Sequence, residues 1–144
     1  MPKSTATCNS ILALIFNATA WADLAENDSS SPLGNLYVSL HTGDPGVGNN
    51  QTTNETAYTN YARVAVVRTT SGWDVPASAE TANAALIQFA QCGVTGATLT
   101  YVAIGTASSG AGTVLYAGAL SSSLAVANGI QPQFAAGALT VTEA

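Results

Sequence analysis

The sequence predicts an all-β protein, a jelly-roll-like antiparallel β-sandwich with one N-terminal α-helix. Three observations carry this. The spacing of apolar residues changes from a helical period to a period of two near residue 36. Beyond that point short apolar runs recur between Gly-, Ser- and Asn-bearing turns, too close together for the crossover segments that parallel strands need. The length, 144 residues, suits one domain with a real core. We therefore expect a single domain over 1–144, with residues 1–34 forming an arm, helix and connecting loop and residues 35–144 the sandwich.

The helix is expected within Thr5–Ala25, where Ile11, Leu14, Ile15, Ala18 and Ala22 fall on one face with Leu12, Phe16 and Trp21 beside it. Turn formers and a proline from Glu26 to Gly34 end it. Leu36, Val38 and Leu40 then alternate with Tyr37, Ser39 and His41, the pattern of a strand with one buried face. That strand runs into the turn Thr42-Gly43-Asp44-Pro45-Gly46. Gly46 to Thr59 has neither period and is expected to be a long exposed loop, a common contact element. Further strands are expected at Ala62–Thr69, Ala85–Phe89, Thr98–Gly105, Thr113–Ala119, Leu124–Ala127, Gln131–Phe134 and Leu139–Thr142.

Charged residues make up 8% of the chain against 47% apolar, and the net charge is −5. Lys3, Arg63 and Arg68 are the only cations, so no basic groove exists to neutralise phosphates or anionic lipid. Nucleic acid and membrane are not expected partners. The polar remainder, 18 Thr and 13 Ser with 13 Gly and 27 Ala, suits tight turns and surfaces that pack on other subunits. The apolar run Ile11–Phe16 is too short to span a membrane or to build a secretion signal, so synthesis in a cytoplasm is expected. The sequons at Asn17, Asn27, Asn50 and Asn54 are then chance matches in an Asn/Thr-rich chain.

Catalytic and metal chemistry have little to work with. His41 is the only histidine; it rules out a multi-imidazole zinc site and is expected to be a rim or core residue hydrogen-bonded to its own turn. No Gly-x-Ser-x-Gly elbow and no phosphate-binding glycine motif opens a helix. Asp44, Asn49, Asn50 and Glu55 offer oxygen ligands without the spacing of a calcium loop. Cys8 and Cys92 lack CxxC spacing and a nearby histidine; two buried free thiols are expected, with a disulfide as the other possibility. No enzyme activity, cofactor or metal is expected. Tyr58, Tyr61 and Trp73 surround the strand with Arg63 and Arg68, which suits packing or a protein interface, and would also suit stacking on sugars.

The stretch Leu36-Tyr37-Val38-Ser39-Leu40-His41-Thr42-Gly43-Asp44-Pro45-Gly46 resembles the LYVALHTADPG signature of a family of small tailed-bacteriophage virion proteins. Asn54-Glu55 with Tyr61-Ala62-Arg63-Val64-Ala65 resembles its NE…YARVAV segment, and Thr98–Ile104 its TVTHFGI strand. Leu115–Leu120 resembles LLYYGAL, and Phe134–Thr142 is FAAGALTVT. The chain departs from the pattern in an Asn/Thr-rich insertion after Gly46 and in Tyr101-Val102-Ala103, where the family has His-Phe-Gly. Members are often labelled tail or tail-fibre proteins, while small β-rich phage proteins of this size also serve as cement on icosahedral heads.

What the resemblance implies is a virion structural protein. The primary expectation is a capsid cement or decoration protein, a dimer or trimer on the outer capsid surface that stabilises the shell of the major capsid protein by buried interface. A tail or tail-fibre component is the alternative within the virion. A carbohydrate-binding sandwich using Tyr58, Tyr61 and Trp73, and a small hydrolase built on His41, are more distant readings. The expected partner contacts are Lys3, Asp44, Pro45, Asn54, Tyr58, Tyr61 and Trp73.

Overall fold

The computed structural model describes residues 3–21, 33–46 and 50–144. The described chain is antiparallel β-structure with one helix, as expected, and its elements run α1 (Thr5–Phe16), β1 (Asn35–His41), β2 (Val64–Val67), β3 (Glu80–Ala82), β4 (Ile87–Gln88), β5 (Ala97–Gly105), β6 (Val114–Val126), β7 (Gln133–Phe134) and β8 (Thr140–Thr142). The strands form one four-stranded sheet in the order β2-β1-β5-β6 and two ribbons, β3-β8 and β4-β7. No helix among the described residues is long and apolar enough to cross a membrane.

The described residues fall into two compact units, one from segments within 1–35, 66–87 and 134–144, the other from 36–65 and 88–133. The chain passes between them within β1, β2, β4 and β7. The first unit is built on α1. Ser4 caps the helix by accepting the Thr7 N–H at 3.2 Å, which satisfies an otherwise unpaired first-turn donor. The helix ends at Phe16, earlier than its spacing suggested, because Asn17 leaves the helical region and Ala18 turns left-handed at φ 52. The rest of the expected helix, from Ala22, and most of the loop after it lie outside the described residues.

Its buried stripe also differs from the expected one. Cys8, Leu12 and Phe16 are in the core, one helical turn apart, while Ile11, Leu14 and Ile15 are half-buried. Phe16 meets Trp73 edge-on with ring centroids 4.6 Å apart, and Val66, Ile87, Leu139 and Val141 complete this core. The Asn9 side chain accepts the Ala79 N–H at 2.6 Å, tying the helix to the β3-β8 ribbon. Arg68 reaches the last turn, donating to the carbonyls of Leu14, Ile15 and Leu33 at 2.6–2.7 Å, where unpaired C=O groups favour a cation.

In the second unit β1 is an inner strand, with every residue from Val38 to His41 buried rather than alternate ones, because Thr53–Thr56 also pack against the strand at the end that carries His41. Tyr37 to His41 pair with Gly105 to Tyr101 of β5. Leu36, Val38, Leu40, Leu99, Val102, Ile104, Tyr58 and Phe89 supply its core. Gln51, fully buried, accepts the Ala107 N–H at 2.9 Å, and its amide fills the space where a Gly105 side chain would stand. The two strands expected at Thr113–Ala119 and Leu124–Ala127 are one strand, β6, whose ladder with β5 slips between them: Leu99 faces Leu124, yet Tyr101 already faces Ala119. Leu120–Ser123 therefore bulge opposite Thr100 alone. Cys8 and Cys92 are both buried free thiols.

Candidate functional site

The segment after β1 folds back along it. The Thr42 N–H donates to the Asn54 carbonyl and the Thr56 N–H to the Leu40 carbonyl, both at 2.9 Å, around an isolated antiparallel bridge between His41 and Glu55. Asn54 takes a left-handed φ of 53, a conformation asparagine tolerates better than most residues. This docking turns the Glu55–Arg63 stretch into one wall of an open cleft of about 420 Å³, with Ser108, Ser109 and Gly110 opposite.

The wall is set by three side chains. Arg63, whose side chain is 2% exposed, meets the Glu55 carboxylate with two bonds of 2.7 Å and donates to the carbonyls of Ala107 and Gly110 at 2.8 Å. A guanidinium has five N–H groups in a rigid fork, and four are accounted for here. Glu55 raises the Arg63 pKa above its ordinary value, chiefly through the hydrogen bond. Tyr61 donates to Glu55 Oε1 at 2.9 Å and accepts the Leu40 N–H at 3.1 Å; burial pushes its pKa well above the usual tyrosine value. Its ring stacks on Phe89 and meets Tyr58 edge-on at 5.3 Å. The NE…YAR spacing thus has a physical basis: Glu55, Tyr61 and Arg63 form one hydrogen-bonded unit.

Behind this wall Ser39 and His41 are both fully buried. His41 Nδ1 lies 2.9 Å from the Thr53 carbonyl and Nε2 2.9 Å from Ser39 Oγ. Of the two expected placements, rim or core, the structure has the core, and the histidine bonds across to Thr53 and not to the Asp44 turn. Burial lowers its pKa below 6.5.

The expected contact residues separate. Asp44 and Asn54 come together on the surface: the Asp44 carboxylate accepts the Gly46 N–H at 2.7 Å and its carbonyl accepts from the Asn54 amide at 2.8 Å. Lys3 is exposed and pairs with Glu143 at 2.9 Å. Pro45, Tyr58 and Trp73 are corrections to a surface role, for all three are buried. Trp73 is 0% exposed in the core of the first unit, and its Nε1 finds no acceptor among the described residues. Tyr58 is 2% exposed and donates to the Ala90 carbonyl at 2.9 Å. Tyr61 is half-buried with its hydroxyl engaged. The three aromatics consequently present no shared platform for a sugar ring. Of the oxygen ligands considered for calcium, Glu55 is taken by Arg63 and Tyr61, and Asn49 lies outside the described residues.

Sequence reasoning missed Gln51, Ser39 and the Glu55–Arg63 pairing. The signal for the last was present, since Glu55 and Arg63 are isolated opposite charges in a stretch otherwise free of charge.

No curated protein matches this chain. A family model described as podophage GP4 fiber I protein gp80 matches residues 2–142. Spanning nearly the whole chain, that match makes the protein a member of the podophage GP4 fiber I protein gp80 family, a family of phage virion structural proteins.

Proposed function

We propose that the protein is a structural component of a podophage tail, a fibre subunit or a part of the fibre's attachment, that works by burying surface against other virion proteins. The observation that carries this is the family match over residues 2–142, whose description names a fibre protein. It favours the tail reading over the capsid-cement role first expected from the resemblance. The partners are then tail proteins and further copies of the chain. The exposed Asp44–Asn54 turn and Lys3 remain the contact candidates among the residues first singled out.

The site supports a role without turnover. Ser39 and His41 share the hydrogen bond of a nucleophile and its base, but both are 0% exposed and the third partner is a carbonyl, not a carboxylate. In the cleft, Arg63 and Glu55 neutralise each other.

Particle composition tests the proposal. Heads and tails separated from purified virions, with the copy number taken by quantitative mass spectrometry against the major capsid protein, should place a few copies of this chain with the tail. Hundreds of copies travelling with heads would overturn the tail assignment in favour of cement.

A further inference from the structure

We propose that protonation of His41 releases the Asn50–Arg63 segment from β1, so that this wall of the cleft is an acid-sensitive latch. The inference is independent of where in the virion the protein sits.

The geometry fixes the resting state. The Thr53 carbonyl can only accept, so His41 Nδ1 carries the proton, and Nε2 presents its lone pair to Ser39 Oγ, which donates. A second proton on Nε2 turns Ser39 into an acceptor. Its own hydrogen must then swing to the Ala103 carbonyl, at 3.4 Å a long bond. The larger cost is the charge itself, placed at a 0% exposed position.

Among the described residues no carboxylate around His41 is free to receive that charge. On its own strand the neighbouring polar group is Ser39; across the ladder on β5 stand Tyr101, opposite His41, and Ala103, opposite Ser39. On the returning segment are the Thr53 carbonyl and Glu55, which bridges to His41, followed by Tyr61 and Arg63. Glu55 is the single carboxylate in this set, and it is already balanced by Arg63. Burial is the largest influence and lowers the His41 pKa; it outweighs the Thr53 carbonyl bond and Glu55, which both raise it, and Arg63 lowers it further.

The sign follows from linkage. The opened segment exposes a histidine with a pKa of about 6.5, whereas the closed one holds it lower, so the open form binds more protons. The contribution of His41 to closure is complete above about 6.5 and is lost as pH falls through the window down to the closed-state value. The ties at stake are the two backbone bonds, Thr42 to Asn54 and Thr56 to Leu40, and the His41–Thr53 bond itself.

His41 is the only histidine, so the full chain labelled with ¹³C-histidine gives one ring resonance to titrate. The expected result is a midpoint below 6.5, with the amide signals of the two donors, Thr42 and Thr56, moving at the same midpoint. Their hydrogen-exchange protection, corrected for intrinsic rates, should fall by up to about tenfold per pH unit between 6.5 and that midpoint. His41→Gln should flatten the response. A midpoint at or above 6.5, amides that ignore the histidine titration, or the same pH response in His41→Gln would each overturn the latch. Should His41→Gln fail to fold, the wild-type titration and its coupling to the two amides decide the matter.

Discussion

Arg63 and Arg68 lie five positions apart in sequence, one in each unit, and show two ways of holding a cation inside a charge-poor protein. Arg63 is matched by a side chain, the Glu55 carboxylate, and its pKa is raised. Among the described residues Arg68 has only backbone partners, the carbonyls of Leu14, Ile15 and Leu33, and burial lowers its pKa. The first arrangement leaves a second charge behind whenever the arginine is lost. The second relies on partial charges that a helix end presents in any case. Arg63 thereby shapes the cleft wall, whereas Arg68 secures the end of α1.

The contrast is open to direct attack. Replacing Arg63 by alanine strands the Glu55 carboxylate in a mostly buried site and should lower unfolding stability by about 3–5 kcal/mol; denaturant titration would measure it. Pairing that change with Glu55→Leu, using Arg63→Met in place of alanine, should restore much of the loss, since a closed pair can be exchanged for apolar packing. Failure of the double variant to recover would mean that the carbonyls of Ala107 and Gly110, not Glu55, define the role of Arg63. Arg68→Ala should cost less, about 2–3 kcal/mol for its charge-assisted bonds, with faster amide exchange confined to the last turn of α1. No second-site change can rescue it in the same way, because its acceptors are backbone. Lys3, the remaining cation, is an exposed partner of Glu143, and Lys3→Ala should leave the melting temperature unchanged within error.

Legibility in the sequence followed the range of the interactions. The period-two run at Leu36–His41 and the apolar stretch at Thr98–Gly105 reported β1 and β5 well, because a paired strand buries side chains through its own local pattern. The break expected at 120–123 was real in a different form, a bulge inside one long strand, since a serine run weakens pairing without forcing a turn. By contrast β3, Glu80–Ala82, is three residues whose pairing comes from Thr140–Thr142 at the far end of the chain, and nothing local marks it. The same limit explains the aromatics. Proximity to arginines in sequence placed Trp73 and Tyr58 at a surface, but the partners that cover them, Phe16 for one and the Ala90 carbonyl for the other, are remote in sequence. For His41 the sequence left rim and core both open, since the strand pattern put it on the face away from Leu36, Val38 and Leu40; its burial and its bond to Thr53 depended on how the loop folds back.

The bulge in β6 has a practical side. Sheet edges are usually guarded by charges, yet the sequence from Thr81 to Thr142 contains none, and the edge strand β6 is interrupted instead by Leu120–Ser123. These residues already stand outside the ladder, Ser121 to Ser123 are exposed, and the pairs on either side hold β5 without them. A short peptide spliced between Ser122 and Ser123 lengthens an existing excursion, and the entropy of a longer loop grows only with the logarithm of its length. That makes the serine run the natural place to attach an epitope or a fluorophore to the folded chain.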